Sequence, residues 1–151
     1  MLRDLQTGLH TTKNTMRTFA GTAAVKTGTA AIVDHVAGTV KLPPNNTSVG
    51  LIFLDREREV VDGMNLFRTN ISDHDEDFVT IKPGEHCSYK AYPAGDRIAT
   101  SEYVKAGLVK GCYLDANAQG QVKQTATVTK YIFDGFYDDN GHELAIIEIR
   151  S

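Results

Sequence analysis

Turn signals recur about every ten residues along this chain, and the runs between them are short and rich in β-branched and aromatic residues. The clearest case spans residues 125–149. TATVTKYIFDGFY alternates over much of its length, DDNG supplies an Asn-Gly turn at 138–141, and HELAIIEI returns. Asn-Gly between two extended runs is a strong hairpin signal, because both central residues of the tightest turn need a positive φ. GLVKGCYLDANAQGQVKQ at 107–124 reads as a second pair, with strands around Cys112–Leu114 and Gln121–Val122 and a turn in Asp115–Gly120.

The same grammar covers most of the chain. Residues 19–42 predict two or three short strands punctuated by Gly21, Gly28 and Gly38, and Pro43-Pro44-Asn45-Asn46 stops them. SVGLIFLD at 48–55 predicts a buried strand. Asp62-Gly63 predicts a turn with NLFRTNI at 65–71 as the return strand, and DFVTI at 77–81 predicts another strand. HCSYKAY at 86–92 alternates, with His86, Ser88 and Lys90 on one face and Cys87, Tyr89 and Ala91 on the other. TSEYVKAGL at 100–108 is the one stretch that reads as a helix, capped by Thr100 or Ser101 and ended by Gly107. The fold class expected is therefore all-β, a mainly antiparallel sandwich or barrel with one short helix.

Residues 1–18 have few large apolar side chains and five Thr. Such a segment buries too little surface to offset its ordering entropy, so it predicts a flexible N-terminal arm before a single β-rich domain at 19–151. Residues 1–30 carry Arg3, Lys13, Arg17 and Lys26 against Asp4, while the remainder carries 12 basic and 18 acidic residues. A basic leader on an acidic body follows. The net charge of −3 argues against nucleic acid as the main partner, which needs a concentrated basic surface. No apolar run reaches the ~20 residues that span a bilayer, and the first residues lack the apolar core of a secretory signal. Those features predict a chain made in the cytoplasm, without a membrane partner, whose Cys87 and Cys112 stay reduced.

Catalytic and metal motifs fail on inspection. Asp73, Asp75 and Asp77 match the first, third and fifth positions of a calcium loop, but Phe78 and Gly84 stand where Gly and Glu are required. An exposed acidic loop is the reading, with a divergent hard-ion site as its alternative. The five histidines make no His-x-x-x-His pair, and there is no phosphate loop and no Gly-x-Ser-x-Gly nucleophile. Cys87 beside His86 forms no local dyad, since strand neighbours point to opposite faces. No cofactor is expected. Tyr131, Phe133, Phe136 and Tyr137, with Tyr89, Tyr92 and Tyr103, read as packing. Interleaved with Lys90, Lys105 and Lys130, they also suit stacking on single-stranded bases.

The 107–124 stretch resembles a hairpin phrase of β-rich decoration proteins from tailed-phage heads, through Gly107-Leu108, Gly111, Tyr113-Leu114-Asp115, Asn117, Gly120 and Val122. Leu108-Val109-Lys110 departs from that pattern, where an acidic residue often sits. A likeness to the trimeric hydrolase of deoxyuridine triphosphate fails, because Gly111-Cys112-Tyr113-Leu114-Asp115 continues as Ala-Asn-Ala-Gln and lacks the Tyr-Arg-Gly end. The decoration-protein resemblance implies a non-catalytic virion protein on the capsid exterior. Its partner would be the major capsid protein, its state a homotrimer, and its contacts Arg3, Lys13, Arg17 and Phe19. The alternative is a metal- or nucleic-acid-binding β-barrel domain, with enzymatic activity among its readings.

Overall fold

The chain is all-β. The computed structural model describes residues 1–7, 12–56 and 74–151, with residues 12–15 and 77 described by their backbone alone. Its strands are β1 (Leu2–Gln6), β2 (Thr12–Phe19), β3 (Val25–Lys26), β4 (Ala30–Asp34), β5 (Thr39–Lys41) and β6 (Ile52–Asp55). After a four-residue helix α1 (Glu76–Val79) come β7 (Thr80–Ile81), β8 (His86–Ala91), β9 (Arg97–Thr100), β10 (Tyr113–Ala116), β11 (Val122–Thr125), β12 (Tyr131–Asp139) and β13 (His142–Ile149). The turn at Asp62-Gly63 and the strand expected at 65–71 lie outside the described residues.

Two sheets carry the architecture. One has six strands in the order β1-β9-β13-β12-β10-β11, all antiparallel. The other is a closed barrel, β2-β5-β4-β6-β8, in which only the β2–β5 pair is parallel. Successive residues of β4 and β6 face different cores. Ala31, Ile52 and Leu54 fill the barrel with Phe19, Val40 and Tyr89, while Ala30 and Phe53 point out against the six-stranded sheet. A strand buried on both faces has no polar side, which explains the unbroken Ile52-Phe53-Leu54 run.

The six-stranded sheet lays Ile98, Leu114, Phe133, Ala145 and Ile147 onto the barrel. Its far face carries Ala99, Leu144 and Met1 against Val79 of α1. The β10–β11 turn locks the two bodies together. Gly120 accepts a hydrogen bond from the Ala30 N–H (2.7 Å), and Thr47 and Ala116 exchange backbone bonds of 3.1 and 2.8 Å. Gly120 sits at φ +76°, and a Cβ there would lie 2.3 Å from Thr29 Cγ2 and 2.5 Å from the Ala30 oxygen. Only glycine fits.

Two expectations are corrected. Residues 1–18 do not stand off as an arm among those described: β1 pairs with β9, β2 closes the barrel against β8, and Met1, Leu2 and Phe19 are buried. Pairing with distant strands supplies the burial that the segment's own composition lacks. Residues 100–108 form no helix either. Thr100 ends β9, and the next residues run beside β11, where the Val104 N–H donates to Val122 (2.8 Å) and the Val122 N–H donates to Glu102 (3.1 Å). A nine-residue helix is marginal alone, and sheet hydrogen bonds win the backbone. The helix occurs at 76–79 instead, so DFVTI keeps only Thr80–Ile81 as strand. The pair at 113–125 and the hairpin at 131–149 form as expected.

Candidate functional site

The residues singled out from sequence do not converge. Asp73 lies outside the described residues, and nothing is described of the Asp77 side chain. Asp75 precedes α1 without capping it through its side chain. Among the described residues no three His, Cys, Asp or Glu side chains gather in a metal-binding arrangement. Phe19 is 0% exposed in the barrel core, so it offers no surface to a partner. Arg3 binds Asp139 through Nε (3.0 Å) and a terminal nitrogen (2.9 Å). Arg17 is half-buried in β2, and its Nε is buried with no hydrogen-bond partner among the described residues. The Lys13 side chain belongs to the backbone-only stretch.

Both cysteines are free thiols. Cys87 lies in the barrel wall, where burial and then the Glu85 charge push its thiol up to about 11. It donates weakly to the Arg17 oxygen at 3.6 Å. A thiol of that kind stays protonated near neutral pH and is a poor nucleophile.

Two charged clusters tie strands together, and the first of them joins the barrel to the six-stranded sheet. Lys90, on the outer face of β8, lies 3.2 Å from Asp4 and 3.1 Å from Asp55. Burial pulls its ammonium down, but Asp55 and Asp4 more than restore it, leaving its pKa above the ordinary value. The Tyr92 hydroxyl donates to Asp4 at 2.6 Å, and burial followed by that bond drives its pKa far up. Strand alternation put Lys90 on the polar face, but only the topology brings Asp4 and Asp55 to it. The second cluster centres on Asp139 at the end of β12. It receives Arg3 and His74 (2.8 Å), and the His74 ring stacks on His142 at 3.7 Å and 8°. Burial pushes the Asp139 carboxyl up, and the bonds from His74 and Arg3 outweigh it, so it stays below the usual carboxylate range. In both clusters each acid meets a base from another strand, an arrangement suited to clamping rather than to proton transfer.

One surface is built differently. Past a bulge between Phe133 and Phe136, where Gly135 takes φ +102°, the β12–β13 ribbon carries Phe136 and Tyr137 at 40% and 37% exposure. Phe136, Tyr137, Asp138, Gly141 and Glu143 line an open hollow of about 380 Å³. Lys105 reaches over the Phe136 ring (5.1 Å) to Glu143 (2.7 Å), and the Tyr103 hydroxyl donates to the same carboxylate (2.7 Å). Those two bonds, Lys105 first, hold the Glu143 carboxyl low. Sequence grouped Tyr131, Phe133, Phe136 and Tyr137 together. The fold buries Tyr131, Phe133, Tyr89 and Tyr92, which are packing residues, and leaves Phe136 and Tyr137 exposed. The legible signal was Gly135, since a lone glycine inside a strand marks a bulge that re-aims its neighbours.

No protein-family model matches the chain, and no curated protein matches it. Among the described residues no helix is long and apolar enough to cross a membrane.

Proposed function

We propose that the chain is a structural virion protein that docks on the outside of a phage capsid and stabilises the shell without catalysis. The major capsid protein is its partner and a homotrimer its working form. The observation that carries this reading is the contrast between surfaces. The charged clusters at Lys90 and Asp139 are satisfied within the fold, whereas the Phe136–Tyr137 ribbon presents large aromatic area to solvent. Exposed aromatic residues beside charged ones are the usual makings of a protein-binding surface. The basic leader no longer serves as the gripping device, because Arg3 and Phe19 are engaged inside the molecule. Three linked copies would raise effective concentration on a repeating lattice and turn weak docking into stable attachment.

The test is co-sedimentation with purified capsids stripped of accessory proteins, with light scattering for mass. The expected result is a trimer that saturates the shell and raises its melting temperature. A strict monomer that stays in the supernatant refutes the reading. Salt-sensitive binding of labelled single-stranded oligonucleotides in its place would favour the base-stacking alternative, since Lys105 already sits over Phe136.

A further inference from the structure

The geometry points to a strand-addition site. We propose that the outer edge of β12, at Gly135–Asp138, receives an extended segment carrying Lys or Arg at alternate positions, which pairs as an added strand and sets a cation against Asp138, beside the Phe136 ring. The inference deepens the proposed function and rests on it only for the bearer of the segment, a capsid subunit.

Backbone direction comes first. Asn140 (φ 54°) and Gly141 (φ 89°) make a two-residue turn that pairs Asp139 with His142. Such a turn closes on a hydrogen-bonded pair, and antiparallel pairs alternate, so Tyr137 bonds to Leu144 while Phe136 and Asp138 turn their N–H and C=O groups outward. Among the described residues nothing in the sheet meets them there. β10 pairs with β12 only at Ile132, and the last backbone bonds from that side join Phe133 to Gly111 and Cys112. The edge of β11, by contrast, is covered at Val122 by Glu102 and Val104. An open edge with exposed aromatics is a template for another strand.

Charge selects the occupant. Asp138 is exposed, and its carboxylate accepts from the Gly141 N–H with no cation beside it among the described residues. Glu143, its cross-strand partner, lines the same hollow. Lys105 is a built-in example of the ligand, an ammonium held by the Phe136 face and the Glu143 carboxylate together. A second copy of this chain joined edge to edge would bring Asp138 near its own counterpart, and like charges that close repel. A cationic strand gains at Asp138, the carboxylate that Lys105 does not reach.

The experiment uses the full chain labelled with 15N and two acetylated decapeptides, one alternating Lys and Val, the other Glu and Val. The expected result is that the Lys–Val peptide shifts the amides of Gly135–Asp138 and the Glu–Val peptide shifts none. Phe136→Ala should weaken binding about tenfold and Asp138→Lys at least fivefold. Asp138 is exposed, so its variant keeps the fold intact if Phe136→Ala does not. Absence of shifts with the Lys–Val peptide, shifts confined to another edge, or an equal response to both peptides overturns the site. Self-association that Asp138→Lys abolishes overturns the occupant in favour of a second copy. No capsid enters this test, so its outcome separates from that of the shell-binding experiment.

Discussion

The amino group of Met1 is buried, donating to the Thr27 oxygen and to Ser101 Oγ, each at 2.5 Å. Burial lowers its pKa from 8.0 to about 6, with Glu102 pulling partly the other way. A neutral amine still has two N–H groups, enough for both bonds. The unfolded chain therefore binds more protons than the folded one between pH 6 and pH 8, so stability rises across that window. The contribution is full above pH 8 and is lost as pH falls through 6, a loss of about 2–3 kcal/mol. Denaturant melts at pH 6 and pH 8 should show it, and NMR titration of Met1 should find a midpoint near 6. A midpoint near 8, or stability that falls as pH rises, contradicts the burial. Lys90 is the other residue whose loss should be felt. Lys90→Met leaves Asp4 and Asp55 facing each other, and for a partly exposed cluster the cost should be about 2 kcal/mol in a urea melt. Asp4→Asn on the Lys90→Met background should recover part of it by removing one of the two like charges.

Elements were legible where local chemistry decides them. The hairpin at 131–149 rests on Asn140-Gly141, whose positive φ values the fold adopts, and the pair at 113–125 rests on a turn ended by Gly120. Elements that depend on partners were not legible. Leu2–Gln6 has no strand signal of its own and becomes one because β9 lies beside it; residues 102–104 follow β11 for the same reason. The candidate surface was half visible. The aromatic residues stood out, but their division into core and exposed members depends on the bulge at Gly135. Two glycine variants separate these causes. Gly120→Ala forces a Cβ into Thr29 and the Ala30 oxygen at an unfavourable φ, and should cost about 3 kcal/mol. Gly135→Ala meets no atom within 4 Å, so backbone strain alone should cost about 1 kcal/mol. Equal midpoints for the two in guanidinium would refute the interlocking role of the β10–β11 turn.

At the scale of the whole molecule, the barrel and the six-stranded sheet depend on the same first strands. β2 closes the barrel between β5 and β8, and β1 forms one border of the sheet. Deleting residues 1–18 should therefore unfold both bodies rather than release a tether. Circular dichroism of the truncated chain should show loss of cooperative melting, and a truncated protein that melts like the full chain would refute this dependence. The Asp4–Lys90–Asp55 cluster adds to the coupling, since its three members come from β1, β8 and β6. One unfolding transition, seen alike by tyrosine fluorescence and far-ultraviolet dichroism, is the corresponding expectation for the intact chain.

Leu2 finds its neighbour at Thr100, and Thr18 finds its neighbour at His86. A ribosome adding about 5–20 residues per second leaves the opening strand waiting roughly 5–20 seconds for its mate to emerge. Until then its backbone is an unsatisfied template in a crowded cell. Closure must come late, by long-range capture.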